Sequence, residues 1–423
     1  MKIAIPRERR PHEARVAASP ETVKKLVKLG AEVTVEKCAG LGAAVLDGDF
    51  EAAGATVAKT LKSAVDGADL VLKVQRPIVG GKSDETGAYK EGAIVVAVMD
   101  PLRADKDIAA LAKKSLTLFA MDMVPRITRA QSMDVLSSQS NLAGYKAVLD
   151  GAAHFGKAFP MMMTAAGTIR PAKVMVMGAG VAGLQAIATA RRLGAVVSAT
   201  DVRPAAKEQV ESLGASFVAV EDEEFRQAET AGGYAKQMSE AYQKKQAELI
   251  AETITKQDIV ITTALIPGRS APKLISEEMV HSMKAGSVIV DLAVEAGGNC
   301  AMAEAGKVIT TDGGVTIVGH MNVPSRVAVD ASALYARNLY TFVELLVDKE
   351  SKALAIDWDD EIIKGTLICR DGSIVHPALE KPAADKPAAK KDVKAADEKS
   401  GEEAGARAAE QSEPKGPENE GSE

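Results

Sequence analysis

The sequence predicts an α/β protein of two doubly wound parallel-sheet domains, with a cleft between them and a disordered C-terminal tail. Three observations carry this prediction. Short apolar runs alternate with helical patterns through the first third of the chain, residues 173–201 form a glycine-rich strand–turn–helix–strand pattern, and residues 381–423 contain almost no core-forming side chains. Strands that alternate with helices favour a parallel sheet.

The first domain is predicted to comprise residues 1–137 together with 325–380. Ser19 is a favourable N-cap, Pro20 suits the first helical position, and Gly30 suits the end of the same helix. Strands are predicted at 2–5, 31–36, 68–74, 93–99 and 116–121. This domain is expected to be flavodoxin- or Rossmann-like, but it carries no glycine-rich phosphate loop.

The second domain, residues 138–324, is predicted to begin with a long helix at 138–158. Six strands follow, at 174–177, 196–200, 216–220, 258–263, 287–292 and 315–318. Six is the number in a full doubly wound dinucleotide-binding fold. A long interruption at 221–256 contains Gly233 and Tyr234. Irregular segments of this kind are often functional loops, and the alternative is a surface insertion without a role.

The chain after Pro324 is predicted to be helical to about Val347 and to return to the first domain. Short β runs are expected around Trp358 and around the Asp371–Gly372 pair, which is typical of a hairpin turn. Residues 381–423 hold 8 Lys and Arg, 11 Asp and Glu, and one Val, without Leu, Ile, Met, Phe or Tyr. Such a segment cannot bury enough apolar surface to offset its ordering entropy, so we expect a disordered tail or tether.

The glycine-rich pattern predicts a dinucleotide site. Gly178 allows a tight turn, Gly180 lets the backbone approach a pyrophosphate, and Gly183 lets the helix pack closely on the strand. The pyrophosphate would lie on the free N–H groups at the start of that helix. Asp201 ends the second strand, where a carboxylate accepts hydrogen bonds from the ribose of NAD and repels the 2′-phosphate of NADP. Arg203 could accommodate NADP, but we interpret it as a solvated turn charge and favour NAD.

Composition and charge exclude several other classes of protein. The net charge of −6 gives no reason to expect nucleic-acid binding. The three cysteines are odd in number and widely spaced, which favours reduced thiols over a disulfide framework or a metal site. The N-terminus does not resemble a signal peptide, and the longest uncharged run lies inside the glycine motif. We therefore expect a cytoplasmic protein without a membrane span or a bound metal.

A dense polar cluster follows the last predicted strand of the first domain. It contains Arg126, Gln131, Asp134 and Ser137. A cleft between two α/β domains is where a nicotinamide ring would lie. The alternative is a polar connecting loop with a helix cap at Ser137 or Ser138.

At this point the sequence resembles a known family, the soluble NAD(H)-binding component (domain I) of proton-translocating NAD(P) transhydrogenases. The similar segments cover residues 1 to about 380. They include the IPRE opening, PRITRAQSMD followed by SSQSNLAGY, FPMMMTAAGT, GAGVAG, ETAGGYA, TTALIPG, DLAVEAGGNC and NVPSR.

The resemblance implies roles for particular residues. Arg126 and Asp134 would position the nicotinamide of NAD(H) and its ribose, Ser137 would bond the carboxamide, and Gln131 would reach NADP(H) on a partner subunit. The loop with Tyr234 would close over the bound nucleotide. Further residues implied to contact the cofactor are Val181, Asp201, Val202, Arg203, Gly233, Gln246 and Leu265.

Alanine dehydrogenases are the related alternative, and their reaction needs a general acid or base. Where that family has a histidine this chain has Asp100, and an aspartate of its DxAxDxGG motif is Glu295 here. Arg15 and Lys73, which would hold a keto acid, remain, and we interpret them as scaffold charges. Hydride exchange between two nicotinamides needs orientation and exclusion of water, without acid or base chemistry. An NAD-sensing module without catalysis is a third possibility.

The resemblance also implies partners. Membrane-spanning and NADP(H)-binding parts would be separate chains, and this chain would be a homodimer held at the cytoplasmic face of the inner membrane through them.

Overall fold

The computed structural model describes residues 1–226, 238–266 and 268–379. Gly233 and Tyr234 of the predicted functional loop, and the predicted tail at 381–423, lie outside the described residues. The remaining predictions about fold and site can be compared with the structure.

The strands are short and mostly buried. In chain order they are β1 (Lys2–Ile5), β2 (Glu32–Glu36), β3 (Thr56–Ala58), β4 (Leu70–Gln75), β5 (Ile94–Val98), β6 (Thr117–Ala120), β7 (Met162–Thr164), β8 (Gly167–Ile169), β9 (Lys173–Met177), β10 (Val196–Thr200), β11 (Ser216–Phe217), β12 (Ile259–Thr262), β13 (Val288–Asp291), β14 (Val308–Thr310), β15 (Thr316–Val318), β16 (Leu367–Arg370) and β17 (Ser373–Ile374).

The helices connect these strands and cover both sheets. In chain order they are α1 (Pro20–Lys28), α2 (Asp47–Ala52), α3 (Leu61–Val65), α4 (Asp105–Ala112), α5 (Val135–His154), α6 (Val181–Arg192), α7 (Ala206–Ser212), α8 (Glu223–Arg226), α9 (Glu240–Ile254), α10 (Glu277–Ser282), α11 (Ala328–Val343) and α12 (Glu361–Thr366). Helix α1 is capped as predicted, because the Ser19 side chain accepts a hydrogen bond from the backbone N–H of Thr22 and Pro20 follows it.

The first sheet has the strand order β17-β16-β6-β5-β4-β1-β2-β3. Strands β1 to β6 pair in parallel, and β16 and β17 are antiparallel additions at one edge. The hairpin at Asp371–Gly372 is confirmed. The strand expected around Trp358 is wrong, because this side chain is held in a loop by packing, with its ring 6.4 Å from that of Phe119 and 3.7 Å from the guanidinium carbon of Arg370.

The second sheet has the strand order β11-β10-β9-β12-β13-β15-β14. All of its pairs are parallel except β14 with β15. The six predicted strands are present, although the third covers only β11, and β14 was not predicted. The central strand β9 pairs with β10 on one side and β12 on the other, so the strand order reverses there. In sheets of this kind ligands bind outside the carboxyl ends of the strands at that reversal.

Two helices connect the sheets. Helix α5 begins at Val135, which lies in the core of the first sheet, and continues to Val148, which lies in the core of the second. At Gly144 it crosses α6 closely, since a Cβ there would lie 2.0 Å from the backbone oxygen of Ala182. Helix α11 packs through Tyr335 on the core of the first sheet. It is preceded by a 3-10 helix at Val323–Val327 and is shorter than the helix predicted at 324–347.

Candidate dinucleotide site

The glycine turn lies between β9 and α6, at the reversal of the strand order. Gly178 has a φ of +103°, a conformation that favours glycine, and a Cβ there would lie 2.6 Å from Oγ1 of Thr263. A Cβ on Gly183 would lie 1.8 Å from the backbone oxygen of Gly178. A Cβ on Gly180, by contrast, would meet no atom within 4 Å. Two glycines are thus required by packing within the protein, and the third borders open space that a ligand could fill.

The start of α6 is suited to an anion. Its N-cap is Gly180, and no side chain caps the helix. The first backbone N–H groups of a helix lack partners within the helix and carry a partial positive charge. A pyrophosphate above Gly180 would supply the missing acceptors. The residues therefore fit a dinucleotide at this position.

Asp201 follows β10, and its carboxylate is held by the turn around it. Its oxygens accept hydrogen bonds from the backbone N–H of Ala179 at 2.7 Å and of Arg203 at 2.9 Å. The Arg203 guanidinium donates from Nε at 2.9 Å and from Nη2 at 3.0 Å. The interpretation of Arg203 as a solvated turn charge is therefore wrong, because its charge is paired with Asp201.

This pairing keeps Asp201 ionised. Burial alone would raise the pKa of Asp201, but hydrogen bonds from Arg203 and from the backbone of Ala179 outweigh burial and hold that pKa below its usual range. A charged carboxylate beside the glycine turn suits the ribose hydroxyls of NAD and repels a 2′-phosphate.

We expect the substitution Asp201→Asn to weaken NADH binding by about 1.5–3 kcal/mol, the contribution of a hydrogen bond to a charged group. NADPH binding should weaken less or improve, because the repulsive charge is gone. Isothermal titration calorimetry of both nucleotides measures the two effects. Because the pKa of Asp201 is low, wild-type affinity for NADH should not change between about pH 8 and about pH 5. Equal wild-type affinity for NADH and NADPH would contradict the assigned role.

Exposed apolar side chains surround the same end of the sheet. Val181, Val202 and Leu265 lie after β9, β10 and β12, and are 42%, 59% and 57% exposed. Isolated exposed apolar residues are common, but these three flank the turn and Asp201. Their position suits contact with the flat face of an adenine ring.

Gln246 of α9 braces the loop beside this edge. Its Nε2 donates to Oγ1 of Thr200 at 3.2 Å, and its Oε1 accepts from the backbone N–H of Val220 at 2.9 Å. Both ends of the side chain thus support the protein around Asp201. The predicted contact of Gln246 with a cofactor stays a prediction.

The polar cluster at 126–137 forms a 3-10 helix, Thr128–Met133, that leads into α5. Asp134 caps α5 and accepts from the backbone N–H of Ser137 at 2.9 Å and from its hydroxyl at 2.5 Å. The cap is therefore Asp134, and the alternative of Ser137 or Ser138 is wrong. Arg126 and Gln131 are exposed, and their side chains form no hydrogen bond or ion pair with the described part of the chain.

The crossing of α5 and α6 sets the spacing between this cluster and the glycine turn. Ser137 precedes Gly144 by seven residues, so it lies about 10 Å along α5 from the contact with Ala182. Ala182 is in the first turn of α6. An extended dinucleotide is long enough to cover this separation.

Two buried residues of the site were not predicted from the sequence. Asn299 donates from Nδ2 to the backbone oxygens of Ala264 at 2.9 Å and Pro272 at 2.8 Å, and its Oδ1 accepts from the N–H of Ala264 at 3.0 Å. Asp291 accepts from the backbone N–H groups of Ala293 and Cys300, both at 2.9 Å. Asn299 therefore fixes the residue before Leu265. An Asn after a glycine pair that follows a buried strand was the available signal.

Arg15 and Lys73 are buried and paired with carboxylates. Arg15 donates to Glu13 at 2.8 Å and 2.6 Å. Lys73 donates to Glu8 at 3.2 Å and to Glu85 at 3.1 Å. Burial raises the pKa of Glu8, and Lys73 opposes that rise. These pairings fit the interpretation of both cations as scaffold charges.

The two acidic residues that replace dehydrogenase motif residues are also engaged. Asp100 has a φ of +47° and pairs with Arg103 at 3.1 Å. Glu295 accepts a hydrogen bond from the backbone N–H of Asn322 at 2.9 Å. Neither arrangement resembles a general acid–base pair.

Two other kinds of feature are absent from the described part of the chain. Within residues 1–226, 238–266 and 268–379 there is no group of three or more His, Cys, Asp or Glu side chains able to hold a metal ion. Nor, in the same ranges, does any helix have the length and apolar character needed to cross a membrane.

Comparison with family models gives two matches. The model described as alanine dehydrogenase/PNT, N-terminal domain, matches residues 4–143, and the model described as alanine dehydrogenase/PNT, C-terminal domain, matches residues 147–377. Together they cover most of the chain before the predicted tail.

Individual relatives agree with these matches. The chain is 61% identical over 380 residues to the first of the separate alpha-subunit chains of the Rhodospirillum rubrum NAD(P) transhydrogenase, covering 90% of this chain and 99% of the relative. It is 30% identical over 390 residues to an alanine dehydrogenase of Methanococcus maripaludis, covering 90% and 96%. A solved transhydrogenase structure from Sinorhizobium meliloti is similar with a TM-score of 0.80 and 57% identity, covering 89% and 100%. The predicted α/β architecture with two parallel-dominated sheets is confirmed.

Proposed function

This chain belongs to the alanine dehydrogenase/PNT family, and we propose that it is the NAD(H)-binding component of a proton-translocating NAD(P) transhydrogenase. The proposed reaction is NADH + NADP⁺ ⇌ NAD⁺ + NADPH. NAD(H) is held on this chain, NADP(H) on a partner subunit, and membrane subunits couple the transfer to proton movement. The observation that carries the proposal is the glycine turn with the ionised Asp201 beside it, joined through α5 to the polar cluster at 126–137.

The chain's residues would divide the work of holding the cofactor. When bound, NAD(H) supplies the hydride. The first N–H groups of α6 hold the pyrophosphate, and Asp201 holds the adenosine ribose. Arg126, Asp134 and Ser137 orient the nicotinamide end, while Gln131 reaches the partner's nucleotide. Arg126 and Gln131 have side chains without partners in the described residues, which supports their use toward ligands.

Orientation and exclusion of water are the chain's main contributions to the rate. Holding two reactants in a near-attack arrangement can supply about 7–11 kcal/mol of the barrier. Hydride exchange between two nicotinamide rings releases no proton at the reacting carbons, so no acid–base pair is needed. The loop with Gly233 and Tyr234 would close over the nucleotide, and Gln246 and Leu265 would line its pocket.

Alanine oxidation is the second candidate, and an alanine dehydrogenase relative at 30% identity is the observation in its favour. The pairing of Arg15 with Glu13, and of Lys73 with Glu8 and Glu85, argues against it, because a keto acid would have to compete with buried carboxylates.

An assay of the purified chain distinguishes the two activities. With the NADP(H)-binding and membrane subunits added, it should reduce an NADP⁺ analogue with NADH, and the chain alone should not. L-alanine with NAD⁺ should yield no NADH. Robust alanine-dependent NADH formation by the pure chain, without transfer in the complex, would favour the second candidate.

We place the chain in the cytoplasm, at the inner membrane through its partner subunits, and as a homodimer. An exposed apolar hairpin supports self-association. Strands β7 and β8 are exposed throughout, and Met161, Met162, Met163 and Ile169 are 62%, 43%, 78% and 43% exposed. Contiguous exposed apolar surface marks sites of association.

We expect Met163→Glu to dissociate this dimer, because a charge would be buried in an apolar contact. Sedimentation velocity should give a dimer for the wild type and a monomer for the variant. Val329→Glu, at an exposed apolar position of α11, is the matched control and should remain dimeric. A monomeric wild type would refute the proposed assembly.

A further inference from the structure

Asn322 lies where the chain crosses from the second sheet back to the first. It follows β15 and precedes the 3-10 helix that leads into α11. Its backbone has a φ of +45° and a ψ of +52°, a left-handed conformation that Asn tolerates better than most residues. We propose that Asn322 and Glu295 form a hydrogen-bonded bridge between the two sheets that positions the NAD(H) nicotinamide for transfer. This inference rests on the proposed function.

The side chain of Asn322 makes its hydrogen bonds on the first-sheet side. Its Nδ2 donates to the backbone oxygen of His12 at 3.0 Å and to Oε2 of Glu13 at 2.9 Å. Its Oδ1 accepts from Nη2 of Arg15 at 3.1 Å. All three partners lie in the segment that follows β1. Both amide protons are used, so the side chain has one orientation.

The partners of Asn322 are themselves fixed. The side chain of Glu13 is fully buried and forms two hydrogen bonds with the Arg15 guanidinium. Burial alone would raise the pKa of Glu13, but Arg15 lowers it further, so the carboxylate stays charged. Arg15 also donates to Gln139 of α5 at 2.8 Å. The network thus reaches the helix that Asp134 caps.

The backbone of Asn322 is bonded to the second-sheet side. Its N–H donates to Oε2 of Glu295 at 2.9 Å. Glu295 lies in the loop after β13, which Asp291 organises through the backbone N–H groups of Ala293 and Cys300. One residue therefore connects the edge of the first sheet with a rigid loop at the edge of the second.

The length of the Glu295 side chain decides whether this bridge forms. Aspartate at this position would keep the charge but lacks one methylene, so its oxygens would fall short of the Asn322 N–H. Glutamine would keep the reach and an acceptor oxygen but lose the charge. Since Glu295 is exposed, neither substitution should impair folding. The two variants separate reach from charge.

The test compares Glu295→Asp with Glu295→Gln in the complex with the partner subunits. Single-turnover hydride transfer should fall about tenfold or more in Glu295→Asp, because misplacing a reacting pair by about 1 Å can cost about 100-fold. The dissociation constant for NADH should change less than about threefold, since the glycine turn and Asp201 are untouched. Glu295→Gln should recover most of the lost rate. Amide hydrogen exchange at residue 322 should quicken in Glu295→Asp alone.

Glu277→Ala is the control, an exposed glutamate on α10 that makes no hydrogen bond to Asn322. It should transfer hydride at the wild-type rate. Wild-type transfer with an equal rate in Glu295→Asp would overturn the bridge alone, as would a loss in Glu295→Gln that equals the loss in Glu295→Asp. A wild type that transfers no hydride at all would overturn both the proposed function and the role of the bridge in it.

Discussion

Alanine at Gly183 is expected to abolish NADH binding and to lower the melting temperature. A Cβ there would lie 1.8 Å from the backbone oxygen of Gly178, so α6 and the turn must move apart. Overpacking of this kind costs about 1–3 kcal/mol, and occasionally more. The displaced turn would no longer present the first N–H groups of α6 to a pyrophosphate. Thermal unfolding and titration calorimetry measure the two losses.

Gly180→Ala is the matched variant. A Cβ at Gly180 meets no protein atom within 4 Å, and the φ of −76° at this position is available to alanine. The melting temperature should therefore equal that of the wild type, while NADH binding weakens about tenfold or more because the methyl group fills the space the pyrophosphate needs. Wild-type affinity in Gly180→Ala would show that the cofactor lies elsewhere.

Gln131→Asn should slow hydride transfer by about 100-fold, the largest kinetic effect we expect. The change shortens the side chain by one methylene and keeps the amide, so the proposed contact with the partner's nucleotide is lost through distance. A misplacement of about 1 Å in a reacting pair can cost that much. NADH affinity of the isolated chain should barely change, because Arg126, Asp134 and Ser137 are unaltered. Single-turnover transfer and equilibrium NADH binding give the two values.

Gln209→Asn is the control for this change, since Gln209 is an exposed glutamine on α7 outside the polar cluster. It should leave both the transfer rate and NADH affinity at their wild-type values. If Gln131→Asn instead removed NADH binding while bound nucleotides still exchanged hydride normally, the role assigned to Gln131 would be wrong.

The parallel strands could be predicted because they are buried on both faces. In β9, Val174, Met175 and Val176 are all fully buried, and such a strand is a continuous apolar run in the sequence. Strand β3 and the antiparallel β14 were missed. They have three residues each and are exposed or half-buried, so they leave no comparable apolar run.

The glycine turn could also be predicted, because its requirements are local. Gly178 and Gly183 are fixed by contacts within a few residues or with the neighbouring strand end. The pairing of Arg203 with Asp201 is equally local but was missed, since a turn arginine can point to solvent or to a carboxylate and the sequence does not decide which.

Long-range pairs could not be predicted from one sequence. Asn322 and Glu13 are 309 residues apart, and Asn299 and Ala264 are 35 apart. No spacing pattern links such residues, because the folded sheets bring them together. The predicted roles of Gly233 and Tyr234, and the predicted domain boundaries, remain predictions.

The central claim is that hydride passes from NADH on this chain directly to NADP⁺ on the partner subunit. The most direct test is a single turnover with NADH deuterated at both C4 positions, mixed with the complex whose NADP(H)-binding subunit holds NADP⁺. Mass spectrometry of the NADPH formed should find one deuterium per molecule and none lost to water, because the carbon-bound hydride never exchanges with solvent. NADPH without deuterium, or no NADPH despite bound NADH, would contradict the account.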